Sequence, residues 1–174
     1  MDIYIRNPIR IIDGIPVFTI NDEYTDNYEQ ISNDHLEALK IKGINPFMEE
    51  NIWIEMENST AKLVNKYSKA SYNILDVGVG TGRLLSRFPD LNRFGIDIST
   101  GYLNESRQKG INVCFAMAEE MPYKNELFDI VVCTDVLEHL LNPIIACKHM
   151  VRIAKPGGII IIRITNMETK NAEE

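Results

Sequence analysis

Gly78, Gly80 and Gly82 stand two residues apart in Ile74-Leu-Asp-Val-Gly-Val-Gly-Thr-Gly-Arg-Leu84, and the first of them lies two positions behind the carboxylate of Asp76. An apolar run that ends in an acid, a tight glycine turn and then an amphipathic pattern predict a parallel strand feeding a helix. Bare backbone in such a turn lets a ligand come close, because no Cβ stands in the way. A second carboxylate, Asp97, closes Arg93-Phe-Gly-Ile-Asp97, 19 residues after Gly78. That is about where a doubly wound fold sets an acid against ribose hydroxyls. Glu138 and His139 form an adjacent acid and imidazole farther along. Together these residues suit a nucleoside-bearing ligand held beside a group that can take a proton. The glycine spacing narrows the ligand. A dinucleotide fingerprint, G-x-G-x-x-G, needs its third glycine where this chain has Arg83, which disfavours a nicotinamide-dependent oxidoreductase.

G-x-G-x-G with an acid two residues before it resembles motif I of the class I S-adenosylmethionine (SAM)-dependent methyltransferases. The order DVGVGTG, GIDIS, AEEMPY, FDIVVCTDVLEHL, NP and RIAKPGG resembles the branch with ubiquinone-type and sugar-modifying enzymes, over residues 72–165. The resemblance implies SAM as cofactor. It implies that Asp76, Gly78 and Gly80 receive its methionine end, that Asp97 holds the ribose and that Ile98 flanks the adenine. Ala116-Met-Ala-Glu-Glu-Met-Pro-Tyr123 lines up with the family's G-D-A-E-x-L-P-F segment, whose Asp bonds the adenine amino group. Met117 stands in its place, so the bond passes to the Ala118 backbone or to Glu119, or packing alone holds the ring. Thr134 and Asp135 follow the fourth strand, at the edge where ligands of open α/β sheets collect.

Methyl transfer from a sulfonium is an in-line displacement in which the cofactor carries the reactive group. The protein chiefly orients two partners and excludes water. A well-marked cofactor site beside a weakly marked catalytic one is therefore expected. His139 is the catalytic candidate, taking a proton from an acceptor hydroxyl. The plainer alternative is that it caps or packs within its helix. No ligands at helical spacing accompany it, so no metal is expected. Tyr24, Tyr28 and Trp53 belong to an N-terminal segment of the kind that forms a lid over SAM in this family, while His35 and His149 carry no motif.

These residues need an α/β, doubly wound, mainly parallel sheet to position them. Strands and helices are predicted to alternate over 72–77, 81–88, 93–97, 100–109, 111–116, 129–134, 143–154 and 158–165. Asn142-Pro143 supplies a helix N-cap and a proline at N1, and Gly110 and Gly157 fall at helix C-terminal positions. The chain divides into an accessory or lid segment, 1–70, and a SAM-binding core, 71–174. In the first, Asp13-Gly14 between apolar runs predicts a β-hairpin whose second strand Pro16 confines to an edge. Helices follow over about 34–42, ending at Gly43, and about 48–67. The family's sixth and seventh strands do not follow the strand at 158–165, so an open sheet edge and self-association through it are expected.

Composition bounds the partners. Of 174 residues, 45% are hydrophobic, and no run approaches a membrane span. The polar start predicts a protein without a signal peptide, and three scattered cysteines, Cys114, Cys133 and Cys147, suit a reducing, cytoplasmic setting. A net charge of −7 argues against nucleic acid as a partner. The expected function is SAM-dependent methylation of a small polar metabolite, such as a sugar or nucleotide-sugar. A catalytically incompetent SAM-binding module acting through a partner is the alternative.

Overall fold

The central strands, at 73–77 and 128–134, are near-continuous apolar runs because both of their faces are covered. The computed structural model describes residues 3–43, 45–46 and 48–164. In chain order the elements are β1 (Arg10–Ile12), β2 (Ile15–Val17), α1 (Glu23–Lys42), α2 (Glu50–Tyr67) and β3 (Asn73–Val77). Then come α3 (Arg83–Ser86), β4 (Asn92–Asp97), α4 (Thr100–Gln108), β5 (Asn112–Phe115), β6 (Phe128–Thr134), α5 (Pro143–Ile153) and β7 (Ala154–Arg163). Single 3-10 turns lie at Ala118–Glu120 and Leu137–His139.

One seven-stranded sheet runs in the order β1-β2-β5-β4-β3-β6-β7, and only the β1–β2 pair is antiparallel. The pleat sorts side chains onto two cores. Ile74, Ile130 and Val132 face Leu85 and Leu103, whereas Leu75, Val77 and Val131 face Met121 and Met150. Each such burial contributes about 1.5–3 kcal/mol. Chain order reverses at β3, flanked by β4 and β6, so a crevice opens at the carboxyl ends of these three strands.

Several boundaries differ from the sequence expectation. Helix α1 begins at Glu23, not near residue 34, because Asp22 and Thr25 form a reciprocal cap that starts it early. Helix α3 is one turn long, since Phe88 and Leu91 turn back into the core around Pro89. Strand β7 starts at Ala154. Its register on β6 shifts between Phe128 and Ile130, and Gly157, at φ +76°, belongs to that irregularity and not to a helix end. The hairpin turns at Asp13-Gly14 as expected, with both residues left-handed. Its proline is not on the edge: β1 is outermost, and β2 also meets β5 at Val17–Phe115. Pro16 is tolerated because that pairing begins one residue after it. On its free side β7 has no neighbour among the described residues, and Asn166–Glu174 lie outside them.

Candidate cofactor and acceptor site

Two adjoining cavities occupy the crevice. The smaller, about 190 Å³, is lined by Gly78, Gly80, Asp97, Ile98, Ala118, Glu119 and His139, with Tyr24 and Tyr28 from α1. The larger, about 660 Å³, shares Tyr28, Gly78, Gly80, Asp97, Tyr102, Asp135 and His139 with it and adds Asp76, Trp53, Thr134 and Arg163. Every site residue singled out from the sequence thus lines one or both.

The glycine turn is shaped by its neighbours. Gly78 has φ +75°, and a Cβ there would come within 2.3 Å of Val136, so only glycine fits. Gly80 has φ +52°, and a Cβ there would meet nothing within 4 Å; it would stand in the open cleft. The Gly80 N–H donates to Asp97 Oδ2 at 2.9 Å, while Asp97 Oδ1 accepts from Ile98 (2.9 Å) and Ser99 (3.1 Å). One carboxylate therefore fixes both the turn after β3 and the end of β4. Burial raises the Asp97 pKa to about 6 in spite of these three donors.

Asp76 lies deeper, 4% exposed, and its Oδ1 has no hydrogen-bond partner. Burial, and then the nearby Asp97 carboxylate, push its pKa well up, and Arg163 pulls the other way. An orphaned buried carboxylate oxygen costs about 1–3 kcal/mol unless something donates to it. Glu119 is similar. Its Oε1 accepts from the Asn142 N–H at 3.1 Å, and its buried Oε2 has no partner.

Residues before the core roof the crevice. The rings of Tyr24 and Tyr28 lie 4.9 Å apart on α1, and the Tyr24 hydroxyl donates to the His139 carbonyl at 3.0 Å. His139 ends a 3-10 turn and is solvent-exposed, so it does not pack within a helix. Helix α1 is held by Glu29, which accepts from the Thr100 N–H (2.7 Å), the Thr100 hydroxyl (2.6 Å) and the Gly101 N–H (3.3 Å) at the start of α4. A carboxylate at a helix N-terminus is favoured by both hydrogen bonds and dipole. His35 is buried, with Nδ1 2.6 Å from the Tyr102 hydroxyl; its ring stacks obliquely on Trp53. Burial and the Arg83 guanidinium lower its pKa.

Two arginines fasten α2. Arg83 sits 4.1 Å above the Trp53 ring and pairs with Glu50 and Glu57. Arg163 grips both oxygens of Asp135, itself at φ +56°, and donates to the Met56 carbonyl (2.8 Å) and Thr60 hydroxyl (3.0 Å). Sequence reading passed over Glu29 and Arg163. A charge inside the apolar run Ile159–Ile164 was the available signal for Arg163. Nothing marks Glu29 among the other acids of α1. Among the described residues no group of three or more His, Cys, Asp or Glu is placed to hold a metal, and no helix is long and apolar enough to cross a membrane.

Residues 75–162, just over half of the chain, match the family described as Methyltransferase domain. A tRNA (carboxymethyluridine(34)-5-O)-methyltransferase of Arabidopsis thaliana is 34% identical over 56% of this chain and 25% of its own length. A ubiquinone biosynthesis O-methyltransferase of Colwellia psychrerythraea is 27% identical over 87% and 67%. Among solved structures, a SAM-dependent methyltransferase of Thermotoga maritima superposes with a TM-score of 0.60 at 22% identity, covering 80% of this chain and 61% of that one. The chain spans about half the length of other curated relatives it matches. The class defined by sheet order and crevice is the Rossmann-like α/β fold of class I methyltransferases. The chain belongs to the methyltransferase-domain family, whose cofactor is SAM.

The residues present fit that cofactor. Gly80 leaves open space beside the cleft, Asp76 Oδ1 lacks a donor deep within it, and Asp97 keeps lone pairs for hydroxyl groups. Asp76, Gly78 and Gly80 would hold the methionine end, Asp97 the ribose, and Ile98, Ala118 and Glu119 the adenine.

Proposed function

We propose that this protein transfers the methyl group of SAM to a small polar acceptor bound in the larger cavity. The observation that carries this reading is the continuity of the two cavities past Asp97, Gly80 and His139. About 190 Å³ suits the adenosine end alone, and about 660 Å³ leaves room for an amino-acid tail and a second molecule. SAM supplies an electrophilic methyl group on a sulfonium. The protein's residues do the rest: Asp97 and Asp76 orient the two ends of the cofactor, and the α1 tyrosines shield the adenosine end from water. His139, facing both cavities, takes the proton that the acceptor sheds. The acceptors named for relatives differ widely, from a tRNA uridine to a ubiquinone precursor, and the resemblance of the motifs favours a sugar-like metabolite. The net charge of −7 speaks against tRNA as the partner here.

The direct experiment is calorimetry with S-adenosylhomocysteine (SAH) and with NAD. SAH binding with a rise in melting temperature supports the reading. Binding of NAD without SAH overturns it.

A further inference from the structure

Among the described residues, four other than glycine have positive φ. Asp13, Ser71 and Glu126 sit in exposed turns, whereas Asp135, at φ +56°, lines both cavities. Left-handed backbone is unfavourable for a residue with a Cβ, and it persists where neighbours over-determine it. Arg163 is that neighbour. Its carbonyl accepts the Asp135 N–H at 3.0 Å, and its guanidinium grips both carboxylate oxygens, with Nε donating to Oδ1 at 3.2 Å. The turn fixed in this way aims the chain that follows. Val136 packs on Gly78, where a Cβ would come within 2.3 Å of it. The 3-10 turn Leu137–His139 comes next, and Val136, His139 and Leu140 wall the smaller cavity. The remaining guanidinium nitrogen donates to the Met56 carbonyl and the Thr60 hydroxyl, on the helix whose Trp53, Glu57 and Thr60 line the larger cavity.

Resting on the methyltransferase reading, we infer that Arg163 is a positioning residue for methyl transfer: it holds Asp135 left-handed and so keeps the wall formed by Val136, His139 and Leu140 in register with the glycine turn. All three guanidinium nitrogens donate to Asp135, Met56 or Thr60, so Arg163 acts through these partners and not on the ligand. A planar fork is needed, because only it can meet both carboxylate oxygens and still reach α2. Without it Asp135 relaxes toward negative φ, and the residues that continue from it swing away from Gly78 and the cofactor cavity. What matters at position 135 is therefore the backbone conformation and not the carboxylate itself. Glycine takes φ +56° at no steric cost, whereas alanine does not.

The test compares Arg163→Met with two double variants, Arg163→Met/Asp135→Gly and Arg163→Met/Asp135→Ala. Each whole chain is titrated with SAH by calorimetry, and melting curves are taken on the same preparations. Arg163→Met should weaken SAH binding by the folded protein about tenfold. Adding Asp135→Gly should restore most of that affinity, while Asp135→Ala, which removes the same carboxylate but resists left-handed backbone, should not. Equal rescue by both changes, or no rescue by Asp135→Gly, overturns the inference. So does an Arg163→Met protein that melts lower yet binds SAH with wild-type affinity, since its arginine would then be merely structural. Should Arg163→Met fail to fold, Arg163→Lys carries the same comparison, because its ammonium keeps the charge without the fork. The wild-type SAH titration is the separate arm: if it fails, the methyltransferase reading fails, whereas wild-type binding with equal rescue sinks only the role of Arg163.

Discussion

The carboxylate of Asp97 accepts the amide N–H of Gly80 across 2.9 Å, so the residue proposed to hold the ribose also holds the glycine turn after β3. Stability and ligand binding respond to pH in opposite directions, because burying the charge costs stability although the N–H donors favour it. Burial lifts the Asp97 pKa from 3.8 to about 6, meaning that the folded protein binds this proton more tightly than the unfolded chain does. The stability it contributes is full below 3.8 and is lost as pH rises through about 6. Ribose hydroxyls instead donate to the ionised form, so ligand binding gains over the same interval. From pH 5 to 7 the ligand-free melting temperature should fall and the SAH affinity should rise, by up to tenfold per pH unit below pH 6. In Asp97→Asn both slopes should flatten, and the affinity should drop by about 1–3 kcal/mol. Calorimetry and melting curves at four pH values check this; an affinity that falls with pH contradicts it.

Gly80→Val and Gly82→Ala should fail in different ways. A side chain at Gly80 enters open cleft, so the SAH-induced rise in melting temperature should vanish, with about 1–2 kcal/mol of strain from its positive φ. At Gly82 a Cβ would come within 2.5 Å of Ile111 and 2.7 Å of the Ser106 hydroxyl. That variant should lose stability first and keep whatever SAH affinity its folded fraction allows. Equal loss of binding in two equally stable variants would remove the special role of Gly80.

Sequence reading reached β3, the glycine turn, β4 and β6 because each is specified locally, by an apolar run of the right length and by residues that only a turn requires. It missed the first half of α1, Glu23 to Asn33, where hydrophobic periodicity is weak. That half is stable through polar links instead: the Asp22–Thr25 cap, Glu29 on α4 and Ser32 on Ser99. The last two depend on partners about 70 residues away, which no local pattern encodes. Arg83 shows the same limit. Its size excluded one cofactor class, but its stacking on Trp53 became visible only once α2 was in place. At the site, the residues that line the crevice were reached through the glycine spacing and the family resemblance. The anchoring of α2 by Arg163 was not, because its partners Asp135, Met56 and Thr60 are brought together only by the fold.

Glu119 offers a test of how adenine is held where Met117 replaces the usual acid. Its Oε2 is buried without a donor, at the wall of the smaller cavity, and the adenine amino group is a donor. Wild-type protein should bind SAH at least tenfold more tightly than the inosine analogue, which lacks that amino group. Glu119→Gln should erase most of the difference. Because Glu119 Oε1 also accepts from Asn142, melting temperature must be followed in parallel. An unchanged preference in a stable variant would assign adenine recognition to packing and the Ala118 backbone alone.

His139 is the last group to be tested. It faces both cavities from an exposed 3-10 turn, its ring 6.4 Å from that of Tyr28. What it contributes to the fold is its carbonyl, which the Tyr24 hydroxyl reaches and which alanine would keep. His139→Ala should therefore leave melting temperature and SAH affinity close to wild type. An acceptor hydroxyl or ammonium must lose a proton to present a lone pair in line with the methyl group, and removing a positioned base costs about 10²-fold. Turnover should fall by that order with whichever acceptor the wild-type protein methylates. A His139→Ala protein that melts normally and turns over at the wild-type rate would move the proton to solvent and end the catalytic assignment.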